Sequence, residues 1–342
     1  MVDSVSGAVV QAGSRTFVTG QGSGLDFTAL IQAAYDQKVR EADRLELKME
    51  DNQGKIDAYN ELNDLLRNIE TVTSSFSRNY DILGLETNVF DEEKLYKLFE
   101  DKEICINLVG ILYENKNNTF NNIHKNFPDI ISRISKEKQL KQFIHISALG
   151  IEKAKDSIYA SSKLEGEKKI INNFPQATIL RPSVIYSIDD NFTTNLMSLL
   201  NLMPFFPIYY NGKTKFSPMH VSDLAEIILT IIEKKIFSEI IECVGPEEMT
   251  FKEILEKLLS SINKKKFLIP FPISIAKLSA FFLEQFPRPL LTRDQLKLLK
   301  YDNILSGSYK SNKDIGCSSG LKFEDQIKKY SYMWREGGEY SK

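Results

Sequence analysis

Cysteine is scarce in this chain: 342 residues contain three, Cys105, Cys243 and Cys317, and histidine is equally rare at three. The cysteines are widely spaced with no C-x-x-C pair, so neither a disulfide framework nor a zinc site is expected and no metal ligand set is assigned. A reducing cytoplasm fits that usage. A surplus of one charge is also missing. Lys and Arg number 44 against 46 Asp and Glu, a formal net charge of -2, so no global field draws in nucleic acid. Long hydrophobic runs are absent as well: no uninterrupted apolar stretch reaches the roughly 18 residues of a membrane span, and the N terminus has no basic-then-apolar signal pattern. The nearest approach is FLIPFPISIAKLSAFFLEQF at residues 267–286. Its Lys277 and nearby prolines point to a loop feeding an amphipathic helix, and residues 267–291 are the place where a peripheral-membrane or large-complex partner is expected. What remains, 42% hydrophobic and 26% charged residues, is ample for a full-sized core.

The chain has two textures. After a flexible segment over residues 1–26, residues 27–74 contain no proline, and Gly54 alone interrupts a run rich in Glu, Lys, Leu, Ala, Gln and Asp. The span to residue 80 reads as one long helix or as a helical hairpin broken near Gly54. Ala42, Met49 and Ile56 follow one seven-residue track and Leu45, Tyr59 and Leu66 a second, as in a coiled coil, with Asn52 and Asn63 interrupting. Unbroken, such a helix would be on the order of 70 Å long and would need a helical partner for residues 27–74. From residue 81 to 342 short apolar runs alternate with helical patterns. ICINLVGIL (104–112), FIHISAL (143–149), ATILRPSVIY (177–186) and IIECVG (240–245) read as strands. The intervals between the first three are long enough for crossover helices, so a parallel sheet covered on both sides is expected. A smaller C-terminal lobe follows from about residue 245.

The strongest local constellation is Ser147, at the end of a strand, followed by Tyr159 and Lys163 in Y-A-S-S-K. Residues four apart share a helical face. On that face the ammonium is expected to lower the phenol's pKa from its ordinary value near 10, while the serine hydroxyl orients a carbonyl or alcohol. These are the candidate catalytic residues, a proton-transfer trio suited to hydride chemistry. His220 and Asp223 in HVSDLA are further candidates, with Asp223 expected to cap the helix beginning there.

Asn88-Val89 with Asp91, INLVGILYE (106–114), FNNIH (120–124), HISALG (145–150), YASSKLEGE (159–167), ATILRPSVIY and FSPMHVSDLA (216–225) together resemble the atypical short-chain dehydrogenase/reductases. More narrowly, LLTRDQLKLLKYDNIL (290–305) and YMWREGGEY (332–340) resemble bacterial homologues of the Rossmann-fold accessory subunit of respiratory complex I. The resemblance runs from about residue 88 to the end. It implies an oxidoreductase-type or NAD-dependent epimerase/dehydratase-type Rossmann domain that binds NAD or NADP. Asn88 would lie near the adenine, and the backbone of Asn107, Leu108, Val109 and Gly110 beneath the adenosine. Tyr159 and Lys163 would face the nicotinamide ribose and Ser147 the substrate, with Arg181, Pro182 and Ser183 flanking the nicotinamide. In the mitochondrial relative the nucleotide is structural or regulatory, so turnover does not follow from the resemblance. A respiratory-complex partner and a cytoplasmic location at the inner face of the membrane do.

A complete domain of this kind begins with a strand, a Gly-rich turn and a helix that holds the pyrophosphate. FVTGQGSG (17–24) has glycines at 20, 22 and 24, which fit no such turn, and only RTFV ahead of them could be a strand. The helical pattern then continues to Ser74. The N-terminal 75 residues instead resemble the start of the flagellar filament cap, hook-associated protein 2, through GSGLD (22–26) and the A-Y-x-x-L element of Ala58, Tyr59 and Leu62. Two such beginnings in one chain point to a chimera with its seam between Thr73 and Asn88, or to helices that replace the first strands. The expected fold is therefore α/β: an incomplete Rossmann-like parallel sheet with a smaller C-terminal lobe, preceded by a long helical segment. The expected function is that of a short-chain dehydrogenase-like protein with impaired cofactor binding. The alternatives are a non-enzymatic respiratory-complex assembly protein and a flagellar cap-like assembly segment.

Overall fold

The computed structural model describes residues 8–12, 15–19 and 92–340, apart from 117, 189, 285–288 and 290. The chain divides into two compact units, Met1–Ser75 and Phe76–Lys342. In the first, β1 (Ala8–Ala12) and β2 (Arg15–Thr19) pair antiparallel with Ala12 opposite Arg15, where a flexible segment is expected from sequence. The difference has a local cause: Val9, Val10, Thr16, Phe17 and Val18 are β-branched or aromatic, the residue types enriched in strands. The RTFV strand is thus real, and its hydrogen-bonded neighbour is β1. The helical reading of 27–80, its helical partner, the glycines at 20, 22 and 24, and Asn88 lie outside the described residues.

The second unit runs α1 (Glu92–Leu98), β3 (Ile104–Asn107), a π-helical turn (Asn121–Asn126), α2 (Phe127–Glu137), β4 (Gln142–Ile146), α3 (Ile158–Asn173), β5 (Thr178–Pro182) and β6 (Ile185–Tyr186). It continues through α4 (Thr193–Leu202), β7 (Phe205–Ile208), β8 (Lys215–Phe216), β9 (Met219–His220), α5 (Val221–Glu233), β10 (Ile240–Cys243), β11 (Met249–Thr250) and α6 (Phe251–Ser261). Last come β12 (Phe267–Pro270), α7 (Ile273–Leu283), α8 (Arg293–Leu298), β13 (Lys310–Ser311) and α9 (Phe323–Ile327).

The central sheet has the order β13-β10-β5-β4-β3 and every pairing in it is parallel. The four strands read from sequence are there; the two-residue β13 is not legible because it lacks an apolar run. Strand period 2 sorts the side chains. Phe143 and Ile179 meet Phe127, Ile131, Ile170 and Phe174 of α2 and α3 and the turn that follows. Their neighbours Ile144 and Leu180 face the opposite way, onto Leu224, Ile227, Ile228 and Ile231 of α5, which recur at i, i+3, i+4 and i+7 as a core-facing helix requires. Both faces of β4 and β5 are buried, as in a parallel sheet covered by helices on each side, and their polar residues Gln142, His145, Thr178 and Arg181 are buried with them. Among the described residues β3 has a strand neighbour only on its β4 side. The fold is α/β, an incomplete Rossmann-like sheet flanked by helices.

The smaller lobe gathers around Met197 and Leu200 of α4, Phe206 of β7, and Ile254 and Leu258 of α6, with β7 and β12 paired in parallel. Part of that core, from Met197 to Phe206, precedes residue 245 in the chain, while β10 and β13 belong to the main sheet. On its outside, α7 buries Ala276 and Ala280 against Leu296 of α8 and leaves Ile275, Leu278, Phe281 and Phe282 exposed. No helix among the described residues is long and apolar enough to cross a membrane.

Candidate functional site

Ser147 follows β4 directly and is held there by its backbone N–H, which donates to the Leu180 carbonyl at 2.7 Å. Its hydroxyl is buried without a hydrogen-bond partner. Helix α3 starts eleven residues later at a serine N-cap, where Ser157 Oγ accepts from the Ala160 amide. The helical period then stacks Tyr159 over Lys163. Lys163 Nζ donates to the Ile146 carbonyl at 3.2 Å, which brings the ammonium to the strand end that precedes Ser147. Gly110, exposed in the loop after β3, lies against it: a Cβ there would sit 3.1 Å from Nζ, so the missing side chain lets the loop pack closely on the buried Lys163.

The electrostatics correct one expectation. Burial raises the Tyr159 phenol to about 12, and the lysine does not reverse this because its ammonium is turned to the Ile146 carbonyl. Lys163 is itself lowered to about 8, by burial first, with Glu167 acting in the opposite direction. At neutral pH the phenol is a neutral proton donor beside a lysine that readily gives up its charge.

His124 closes the third side. The ring lies edge-on to Tyr159, with centroids 5.2 Å apart, and stacks on Phe120. Nε2 accepts from the Ile111 amide at 3.1 Å and Nδ1 meets Ser162 Oγ at 2.9 Å, which fixes Nδ1 as the protonated nitrogen with Ser162 Oγ accepting from it. Burial and the Lys163 charge push its pKa down to about 2, so the ring stays neutral. It sits on the π-helical turn, pressed so closely on α3 that a Cβ at Gly166 would lie 1.9 Å from the His124 carbonyl oxygen. Nothing in the spacing of FNNIH shows this contact with α3.

The residues assigned to a nucleotide by resemblance separate into two groups. Asn107 is buried, its amide nitrogen 3.0 Å from His145 Nδ1 and its oxygen accepting from the Val109 amide. It therefore shapes the Leu108–Gly110 backbone rather than offering a free side chain. Leu108 and Val109 pack into opposite cores. Arg181 forms a fork on Glu167, at 2.6 and 3.0 Å, and also reaches Glu152 at 3.1 Å. The Pro182 carbonyl accepts from the Leu149 amide. Ser183 Oγ donates to Asn303 Oδ1 at 2.6 Å and accepts from the Ser217 amide. Arg181 and Ser183 are thus engaged by protein groups.

Two residues that sequence reasoning left without a role hold these parts together. Asn303 donates to the Leu149 carbonyl at 2.7 Å and accepts from Ser183 and Val184, tying the loops after β4 and β5. Asp294 reaches the start of α3. At α5 the expected cap is corrected: His220 is the N-cap, its Nδ1 accepting from the Ser222 amide, because the helix begins at Val221 and Asp223 falls inside its first turn. Asp223 is buried, one carboxylate oxygen lacks a partner, and burial lifts its pKa to about 6. Among the described residues no three or more His, Cys, Asp or Glu side chains gather as metal ligands would.

Comparison with known proteins agrees with the α/β fold. Residues 152–302 match the family model described as RmlD substrate binding domain. The chain is 28% identical over 260 residues to the mitochondrial NADH dehydrogenase (ubiquinone) 1 alpha subcomplex subunit 9 of Dictyostelium discoideum, covering 75% of this chain and 72% of that one. It is 26% identical to the Arabidopsis thaliana protein of the same name, covering 69% of this chain and 59% of that one. Among solved structures, DesIV, a dTDP-glucose 4,6-dehydratase from Streptomyces venezuelae solved with NAD bound, superposes with a TM-score of 0.53 at 14% identity, covering 72% and 77% of the two chains. These relatives give no support to the expected likeness of the first 75 residues to the flagellar filament cap. By sequence the chain is thus distantly similar to mitochondrial NADH dehydrogenase (ubiquinone) 1 alpha subcomplex subunit 9 proteins.

Proposed function

We propose that this protein binds the nicotinamide-ribose end of NAD or NADP at Lys163, Tyr159 and Ser147, as a short-chain dehydrogenase-like or epimerase-like protein, and that it does so weakly. The observation that carries the reading is the buried Ser147 hydroxyl without a partner, placed at the C-terminal end of a parallel sheet where doubly wound folds bind ligands. A buried hydroxyl left unpaired costs free energy, so one at that position is best explained by a ligand that completes it. Lys163 has donors to spare for ribose hydroxyls, and Gly110, the residue against its Nζ, carries no side chain. DesIV, which shares the fold, was solved with NAD.

The bound nucleotide would supply or accept hydride. This chain's residues supply the rest. Tyr159, protonated through neutral pH, gives its proton to a substrate oxygen or receives one through Oη. Lys163 holds the ribose. Ser147 Oγ donates to the same substrate oxygen and steadies it. Weak binding is inferred from sequence at the pyrophosphate end, where the 17–24 glycine spacing matches no Gly-rich phosphate-binding turn. Titration of the full chain with NADH and NADPH tests this. A dissociation constant nearer millimolar than micromolar is expected, lost in Lys163→Met.

A second reading is favoured by the outer face of α7, where Leu278 and Phe282 are 59% and 61% exposed. Apolar side chains exposed together mark a contact surface. On this reading the region 267–291 docks a respiratory-complex or peripheral-membrane partner at the cytoplasmic side of the inner membrane, and the nucleotide site is structural. Co-purification with respiratory subunits from native membranes supports it; a free monomer in those extracts contradicts it.

A further inference from the structure

Helix α3 carries Tyr159 and Lys163, and its first amides are satisfied from far along the chain. Asp294 Oδ1 accepts from the Ile158 amide at 2.9 Å, and Asp294 Oδ2 accepts from the Tyr159 amide at 2.9 Å and from Ser157 Oγ at 2.7 Å. Ser157 Oγ in turn accepts from the Ala160 amide. One carboxylate and one serine thus take all three N–H groups of the opening turn, which no intrahelical acceptor can reach. The carboxylate also lies at the positive end of the helix.

Asp294 is itself held firmly. It belongs to α8, which opens with a reciprocal cap: Thr292 Oγ1 accepts from the Gln295 amide, and Gln295 Oε1 accepts from the Thr292 amide. Leu296 is buried among Ala276 and Ala280, and Lys297 Nζ stands 3.5 Å from Asp294 Oδ1. Nine residues on, Asn303 ties the loop that bears Ser147 to the loop after β5. The segment from Thr292 to Asn303 is a strap across the Tyr159–Lys163 helix and the Ser147 loop.

We propose that Asp294 is a positioning residue: by capping α3 from the strap, its carboxylate sets the register of Tyr159 and Lys163 against Ser147. This rests on the reading of those three residues given above. A cap that served stability alone could have come from the adjacent chain, as Ser157 does. The strap's cap instead fixes the very residue that bears the phenol, through its own amide.

The test uses the full chain as wild type, Asp294→Asn, Asp294→Ala and Thr250→Ala, the last removing the unrelated reciprocal cap of α6 as a control for general loss of stability. Amide hydrogen exchange at residues 158–160 and the pH profile of Lys163 acetylation, with and without excess NADH, are measured. Asp294→Ala is expected to speed exchange at those amides by about tenfold, as loss of a capping side chain does, with Asp294→Asn intermediate. It is also expected to move the Lys163 profile up from about 8 toward its ordinary 10.5. Thr250→Ala should leave both in place. NADH should slow acetylation of Lys163 in wild type and less so in Asp294→Ala. Unchanged exchange and an unchanged profile in Asp294→Ala, or equal changes in Thr250→Ala, overturn the proposal. Failure of NADH to protect Lys163 in wild type counts against the nucleotide reading instead, and the first two measurements still decide the role of Asp294.

Discussion

The ends of β4 and β5 are neighbouring strand ends in one sheet, yet they are opposite in character. At β5, Arg181 and Glu167 have side chains 4% and 3% exposed and share a two-bonded fork, while Ser183 is bonded to Asn303 and Ser217. Every strong polar group there has a protein partner. At β4, Ser147 Oγ and His145 Nε2 are buried without one, beside a lysine with protons free. The contrast teaches that in this fold a polar residue at a strand end is a ligand candidate only when its hydrogen bonds are unfinished.

Predictions follow from pressing on that difference. Breaking the finished end is expected to cost most: Glu167→Ala leaves the Arg181 guanidinium buried with only the more exposed Glu152, at about 3–5 kcal/mol, read by urea denaturation. Gly166→Ala forces the α3 and π-turn backbones apart, since its Cβ would meet the His124 carbonyl at 1.9 Å, at about 1–3 kcal/mol. A stability change near zero there would mean the two elements separate easily. The serine pair sharpens the contrast. Ser183→Ala is expected to cost about 1 kcal/mol or more, whereas Ser147→Ala, which deletes a group already unpaired, stays within about 0.5 kcal/mol of wild type. Equal losses in both would erase the distinction.

A pH-dependent effect concerns Asp223. Its folded pKa, raised to about 6 by burial, lies above the ordinary 3.8, so the unfolded chain releases this proton first. The contribution is fully present below about pH 4 and is lost as pH rises through about 6. Relative to Asp223→Asn, wild type should lose stability across that window and run parallel outside it, as thermal melts across pH would show.

Much of this was legible in sequence because it is local. The Tyr159–Lys163 pairing needs only the helical period, Ser147 only the end of a strand, and the parallel sheet only apolar runs separated by helix-length intervals. What was not legible is non-local. The Arg181–Glu167 fork joins residues from two elements, Asp294 reaches Tyr159 across 135 positions, and no spacing rule encodes either. Likewise, the resemblance places Arg181 and Ser183 beside the nicotinamide, but the sequence does not display the protein partners, Glu167 and Asn303, that they have in the fold. The Tyr159 pKa went astray for a related reason: the i, i+4 rule places Lys163 on the right face but cannot say that its ammonium turns to Ile146.

The most direct test of the central claim is a titration of the full chain with NADH, followed by nucleotide fluorescence, in wild type and Lys163→Met. Saturable binding on the order of a millimolar is expected in wild type and none in the variant. Micromolar affinity in both proteins, or no saturable binding in either, would contradict it.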